Sequence, residues 1–175
     1  MENRQLQLRQ QLLLENSRAN AVRIAEWIGE DTGRLAQLME LFLHDEYRVV
    51  QRAAWIISFI AKEHPALLQP HLPAMIQRME DTGIPVAVKR NVTRVLQFLP
   101  VPPALHGAVM HHCFELLANP QETVAVRAFS MTVLANLAKD YPDIRNEIRL
   151  ILEDQLQHSP SPGFSARAKK VLKLL

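Results

Sequence analysis

Residues 47–65 read YRVVQRAAWIISFIAKEHP, and degenerate copies of this stretch recur four more times along the chain. The other copies are AVRIAEWIG, VAVKRNVTRVLQFLP, VAVRAFSMTVLANLAKDYP and FSARAKKVLKLL. Aligning the copies on a shared basic residue places five arginines in register: Arg23, Arg52, Arg90, Arg127 and Arg167. They are 29, 38, 37 and 40 residues apart, and a period of about 30 to 45 residues is typical of stacked helical repeats. Each repeat would then bury its apolar face only against its neighbours.

The composition indicates an all-helical globular chain. Of the 175 residues, 48% are hydrophobic and 22% are charged, which is ordinary for a globular protein with one continuous core. There are only five glycines, and the β-branched residues are scattered through helical patterns without forming alternating runs. These features favour an all-α fold and argue against a turn-rich β protein.

The chain also carries hints about its compartment. Cys113 is the only cysteine, so neither an intrachain disulfide nor a cysteine-based metal cluster is expected, and a reducing compartment fits. The first ten residues, MENRQLQLRQ, carry charges where a secretory signal would be apolar. No uninterrupted apolar run approaches the roughly 18 residues that a membrane span needs. We therefore expect a cytoplasmic protein without a membrane segment.

Apolar spacing and turn residues divide the chain into helical hairpins. Proline-containing turns at Asn119-Pro120, Tyr141-Pro142 and 159–163 fall where the apolar period breaks, and Asp31 is suited to cap a helix from about residue 33. No linker is long enough to separate domains. The sequence predicts one domain, residues 1–175, built of about five hairpins at approximately 1–30, 31–64, 65–100, 101–140 and 141–175.

The repeated unit resembles the HEAT repeat of the armadillo-type α-solenoids. It joins an apolar helix through a short acidic or proline-containing turn to a second helix that opens with Val-x-x-Arg or Val-Arg-Ala. The best matches are HDEYRVVQRAAWIISFIA and NPQETVAVRAFSMTVLANLA, and the resemblance covers about residue 17 to the end. It implies a right-handed α-α superhelix with the second helices on the concave side, and a binding or scaffolding role without catalysis. A shared fold alone names no ligand.

Charge is distributed unevenly between the two helices of each hairpin. The five second helices carry a summed net charge of +10, whereas the first helices and their turns carry −8. If the second helices line a concave face, that face is basic and attracts acidic ligands. An alternative interpretation is a solvated polar face for the cations outside the aligned position, which are Lys89, Arg94, Lys169, Lys170 and Lys173.

One helix combines arginines with aromatic residues. Arg48, Arg52, Trp55 and Phe59 are spaced i, i+4, i+7 and i+11, so they share one arc of a helix. Arginine and aromatic residues are enriched in interface hot spots. The alternative is that the two rings simply pack against the next repeat. Trp27, one position out of register with Trp55, is expected in the core.

Aligned columns separate surface from core positions. Three residues after each aligned arginine, the chemistry varies as at a surface: Glu26, Trp55, Thr93, Ser130 and Lys170. Five residues after it, the column is nearly uniform and apolar, as in a core: Ile28, Ile57, Val95, Thr132 and Leu172. For three of the aligned arginines the resemblance implies a structural role, pairing with an acidic residue of a neighbouring repeat: Arg52, Arg127 and Arg167.

The sequence contains no pattern that specifies catalysis or a metal site. His111 and His112 are adjacent, so their side chains leave a helix on different sides, and Cys113 does not improve the geometry. There is no glycine-rich phosphate loop and no nucleophile elbow. We expect no enzyme activity, no cofactor and no bound metal.

The sequence favours a non-catalytic protein-interaction module that binds an acidic or extended partner segment on its basic face. The candidate partner-binding residues are Arg48, Arg52, Trp55, Phe59, Arg90, Arg94 and Lys170. One alternative is nucleic-acid binding through the same face, as in the HEAT-like alkylpurine DNA glycosylases. Another is self-association through the last helix, which ends in the apolar residues VLKLL.

Overall fold

The computed structural model describes residues 2–81, 83–158 and 160–175. Within those ranges the chain forms eleven α-helices and three short 3-10 segments and contains no β-strand. The all-α prediction is confirmed. Two compact units can be separated, one up to Val101 (unit 1) and one from Pro102 to Leu175 (unit 2). The prediction of a single domain of five hairpins stays a prediction.

Unit 1 contains seven helices. They are α1 (Glu2–Leu14), α2 (Arg18–Ile28), α3 (Thr32–His44), α4 (Tyr47–Glu63), α5 (Pro65–Leu68), α6 (Leu72–Gln77) and α7 (Val86–Leu96). Two 3-10 segments, Gln69–His71 and Arg78–Glu80, flank α6. The broken path from α5 to α6 follows from the closely spaced prolines, since each proline removes a backbone donor and resists a straight helix.

Helix α4 is the centre of unit 1, with α1, α2, α3 and α7 packed around it. It buries nine side chains: Val49, Val50, Ala53, Ala54, Ile56, Ile57, Ser58, Ile60 and Ala61. Alanines within this set allow close approach of the neighbouring helices, while the branched residues fill the space between them. Only a narrow strip of α4 is left facing solvent, and that strip carries the arginines and aromatic residues of the sequence prediction.

Local signals fix where the helices around α4 begin and end. The Ser17 hydroxyl accepts a hydrogen bond from the backbone N–H of Asn20 at the start of α2. The Asp31 carboxylate accepts from the N–H groups of Gly33 and Arg34 at the start of α3. These bonds satisfy amides that have no partner within the helix. Gly29 follows α2 with a φ of +50°, a conformation that favours glycine.

Unit 2 contains α8 (His106–Ala118), α9 (Val124–Leu137), α10 (Ile144–Gln157) and α11 (Pro162–Leu172), preceded by a 3-10 segment, Pro103–Leu105. Helix α9 is central and packs against the other three helices. The hydroxyls of Thr123 and Ser161 cap α9 and α11. None of the described helices combines the length and apolar character that a membrane span requires.

Candidate functional site

The solvent-facing strip of α4 holds the predicted arginine and aromatic side chains. Arg48 is exposed, while Arg52, Trp55 and Phe59 are half-buried. The rings of Trp55 and Phe59 have centroids 6.1 Å apart with planes tilted by 37°, a separation usual for interacting aromatic pairs. The two rings therefore form one continuous apolar surface on an otherwise polar strip.

Two arginines from neighbouring helices lie at Phe59. The guanidinium carbons of Arg18, in α2, and Arg94, in α7, are each 5.8 Å from the centroid of the Phe59 ring. These distances allow cation–π attraction, which holds the guanidiniums near the ring. We call Arg18, Trp55, Phe59 and Arg94 the Arg–aromatic cluster. The two arginines can reach one ring because α2 and α7 both pack against α4.

The positive charge of this cluster is not neutralised by any residue that the structure describes. Over the described residues, no carboxylate lies within ion-pair distance of Arg18 or Arg94. By contrast, Arg9 of the same unit pairs with Asp45 at 2.9 Å and with Glu46 at 2.9 Å. The cluster thus offers two guanidiniums, held beside an aromatic surface, to an anionic ligand.

The other predicted site residues differ in their surroundings. Arg52 donates from Nη1 to the backbone carbonyl of Leu12 at 2.6 Å, so it joins α4 to α1. Arg48 and Arg90 are exposed, and neither side chain forms a hydrogen bond or ion pair with another described residue. Lys170 is exposed on α11, in unit 2. The structure brings Trp55, Phe59 and Arg94 together, and a role for Lys170 in the same site stays a prediction.

Arginines of the aligned column hold neighbouring helices through carbonyl and amide oxygens. Arg127 in α9 donates from Nε to the carbonyl of Leu117 at 3.4 Å and from Nη2 to Oε1 of Gln155 at 2.5 Å. Leu117 of α8, like Leu12 of α1, belongs to the last turn of its helix, where carbonyls lack partners within the helix. In place of the expected acidic partners, Arg52 and Arg127 therefore bind these carbonyl and amide oxygens. Arg167 donates to the Thr132 hydroxyl at 2.8 Å.

Substituting two arginines of the aligned column should separate a structural role from an exposed one. We expect Arg127→Gln to lower the free energy of unfolding by about 1.5–3 kcal/mol, because it removes charge-assisted hydrogen bonds to half-buried acceptors. Arg90→Gln should change it by less than about 0.5 kcal/mol, since the side chain is exposed. Urea unfolding followed by circular dichroism measures both. Equal losses would show that the column has one common role.

Three sequence-based placements are wrong. Trp27 is 46% exposed and not in the core, because α2 turns Ala21, Ile24 and Ile28 toward its neighbours and leaves the indole outside that stripe. Thr93 and Ser130, expected at the surface, are fully buried. Thr93 can be buried because its hydroxyl donates within the helix, to the carbonyl of Lys89 at 2.7 Å.

The residues considered for chemistry form no recognisable catalytic arrangement. His111 and His112 have ring centroids 5.5 Å apart. Over the described ranges, no group of three His, Cys, Asp or Glu side chains is placed to hold a metal ion. Burial raises the pKa of the Cys113 thiol to about 12, against a smaller opposing influence of the neighbouring Ser130 hydroxyl. Cys113 is therefore protonated at neutral pH and is a poor nucleophile.

Repeated helical hairpins of about 30 to 45 residues are typical of α-helical repeat proteins, and in this chain the second helix of each hairpin carries an arginine at an equivalent position. The family model of the HEAT repeat domain matches residues 8–175. The chain therefore belongs to the HEAT repeat family, as its repeats predicted. No curated protein and no solved structure matches it. HEAT repeat domains are in general protein-interaction scaffolds, typically without catalytic activity.

Proposed function

We propose that unit 1 binds an extended, acidic segment of a partner protein across α2, α4 and α7, with the Arg–aromatic cluster at the centre of the contact. The observation that supports this most directly is the pair of guanidiniums, from Arg18 and Arg94, 5.8 Å from the Phe59 ring and without a carboxylate partner among the described residues. Carboxylates of the partner would supply the missing countercharges.

Ring contacts favour binding by reducing its entropic cost. Long arginine side chains normally lose rotamer freedom when they meet a ligand, at about 0.5–1.5 kcal/mol each. Here the Phe59 ring already restricts Arg18 and Arg94, and Trp55 lies beside it. Apolar side chains of the partner can pack on the half-buried rings while its carboxylates reach the guanidiniums.

Two neighbouring arginines extend the preference for an acidic ligand. Arg48 and Arg90 are exposed on α4 and α7, the two helices that also carry Phe59 and Arg94. Exposed cations at the edge of an interface mainly raise the association rate, and they do so less at high salt. We therefore assign specificity to the Arg–aromatic cluster and electrostatic attraction to Arg48 and Arg90.

The first test measures binding of a chosen acidic peptide. A display library of random 12-residue peptides would be selected on the whole chain, and the strongest binder labelled for fluorescence anisotropy. We expect that peptide to alternate Asp or Glu with apolar residues, and we expect Phe59→Ala to weaken its binding about tenfold or more. Tyr47→Ala is the matched control, because Tyr47 is an exposed aromatic residue at the start of the same helix.

Nucleic acid is the competing ligand in this experiment. A labelled single-stranded oligonucleotide, titrated under the same conditions, should bind more weakly than the peptide. The proposal fails if the oligonucleotide binds with a steep salt dependence while no acidic peptide is selected. It fails equally if Phe59→Ala and Tyr47→Ala weaken peptide binding to the same extent.

A further inference from the structure

A cavity of about 600 Å³ opens among α1, α2 and α3 of unit 1. This volume lies within the usual range for small-molecule sites, about 300–1,000 Å³. The cavity is separate from the Arg–aromatic cluster: Arg18 and Arg23 lie on opposite sides of the buried stripe of α2, as their five-residue spacing requires. Its lining residues are Gln7, Leu8, Gln11, Arg23, Ile24, Trp27, Asp31, Gly33, Arg34 and Gln37.

The apolar part of the cavity is suited to a flat ring. Leu8 and Ile24 line it and are each 3% exposed, so they are fixed in the packing between α1 and α2. The Trp27 indole, which is 46% exposed, forms a further wall. A large aromatic side chain exposed inside a concave site provides a stacking surface for a ligand ring.

Two guanidiniums in the lining are already held in position. Arg23 donates from Nη2 to Oε1 of Gln11 at 2.8 Å and to Oδ1 of Asn20 at 2.7 Å. Arg34 donates from Nη1 to the carbonyl of Trp27 at 2.5 Å, and its guanidinium carbon is 4.4 Å from the indole centroid.

These contacts leave donors for a ligand. Among the described residues, Arg23 donates through a single nitrogen, Nη2, of a group that has five N–H donors, which leaves its Nε and Nη1 hydrogens for a ligand. Asp31 pairs with Arg34 at 3.2 Å and is the only carboxylate among the described lining residues. Two cations against one anion give this described part of the lining a net positive charge, which favours an anionic ligand.

One further polar atom indicates that the ligand carries a hydrogen-bond donor. Oε1 of Gln37 is buried and has no hydrogen-bond donor among the described residues. A buried acceptor without a donor is unfavourable by about 1–3 kcal/mol. Because this oxygen is closed to solvent, a ligand hydroxyl or N–H group would reach it only after the Gln37 side chain rotates toward the cavity that it lines, and that contact would remove the cost.

We infer that this cavity binds a small aromatic carboxylate that also carries a hydroxyl or N–H donor. The carboxylate would be held by Arg23 and Arg34, the ring would stack on the face of the Trp27 indole that the Arg34 guanidinium does not cover, and the donor would reach Oε1 of Gln37. This inference does not depend on the proposed peptide-binding function, because it uses a different set of side chains.

The test uses 6-hydroxy-2-naphthoate as the probe and isothermal titration calorimetry on the whole chain. Two analogues each lack one group: 2-naphthol has no carboxylate, and 2-naphthoate has no hydroxyl. We expect each analogue to bind about tenfold more weakly than the probe. Equal affinity for the probe and 2-naphthol, or no heat of binding at millimolar probe, overturns the inference.

Variants then place the probe in the cavity. We expect Arg23→Gln to weaken probe binding about tenfold and to leave 2-naphthol unaffected. Gln37→Met should remove the preference for the probe over 2-naphthoate. Tyr47→Phe is the control: Tyr47 is exposed and does not line the cavity, so this variant should leave probe binding unchanged. The chain has two tryptophans, and comparison with Trp55→Phe identifies which indole N–H signal in NMR belongs to Trp27 and so reports the site. The inference is overturned if that signal does not shift with probe, or if Arg23→Gln binds as tightly as the unmodified chain.

Discussion

Phe164→Ala is expected to lower the unfolding free energy of unit 2 by about 3–5 kcal/mol, which is typical of removing a fully buried phenylalanine. The side chain is 1% exposed and lies on α11 where that helix packs against α9. Its ring also supports the guanidinium of Arg127, which lies 4.3 Å from the ring centroid. Alanine would leave a cavity and would free an arginine that joins α9 to α8 and α10.

Cys113 offers a readout confined to unit 2. Burial raises the pKa of its thiol to about 12, so in the folded protein the thiol is both inaccessible and protonated. Labelling by a thiol reagent at pH 8 therefore reports opening of unit 2. Because each 1.4 kcal/mol is a factor of ten, Phe164→Ala should raise the labelling rate at least about 100-fold when opening is a rapid pre-equilibrium.

The matched control for this prediction is an apolar truncation at the surface. Leu150 of α10 is 58% exposed, so Leu150→Ala should change the unfolding free energy by less than about 0.5 kcal/mol. Urea unfolding of both variants supplies an independent measure. Similar losses for Phe164→Ala and Leu150→Ala would contradict the placement of Phe164 in the core of unit 2.

Repetition made much of the fold predictable. The pattern of apolar residues around each aligned arginine is preserved even where single side chains differ, so it identified α4 and α9 as equivalent helices. Capping was equally readable: Ser17 and Asp31 lie where α2 and α3 begin, because an oxygen side chain there satisfies free amides. Such signals act over a few residues and need no knowledge of the neighbours.

The candidate site depends on contacts between helices, which local patterns do not encode. Arg18 has no distinctive sequence position, and it joins the site only because α2 lies beside α4. Arg52 and Arg127 each donate to a backbone carbonyl at a helix end, and every residue type carries such a carbonyl. Trp27 was misplaced because the period gives the direction of a side chain but not whether another helix covers it.

A count of charges by helix also does not show which groups each charged side chain contacts. Arg9 and Arg18 contribute equally to such a count. Arg9, however, lies against Asp45 and Glu46, and its hydrogen bond with Asp45 is the main factor that raises its pKa. Arg18 lies against an aromatic ring. Cations of the second kind remain free to attract an acidic partner, so we expect the Arg–aromatic cluster to matter more to the proposed binding than the net charge of +2.

Reversing both charges of the cluster should therefore have the largest effect on binding. We expect the double variant Arg18→Glu with Arg94→Glu to weaken binding of the selected acidic peptide by about 100-fold or more, because like charges facing each other across an interface cost several kcal/mol. Fluorescence anisotropy at fixed ionic strength measures this loss. The same variant should gain affinity for a peptide in which each acidic residue is replaced by lysine.

The control must change the net charge equally without touching the cluster. Lys139→Glu with Arg149→Glu does so in unit 2, where Lys139 is exposed and Arg149 is half-buried. If the net charge of the chain governs association, the two double variants will lose affinity alike, and neither will gain affinity for the lysine peptide. If the guanidiniums beside Phe59 govern association, only the variant with Arg18→Glu and Arg94→Glu should change its preference from the acidic peptide to the lysine peptide. Only in that variant does the reversed charge lie against the ring that the peptide covers.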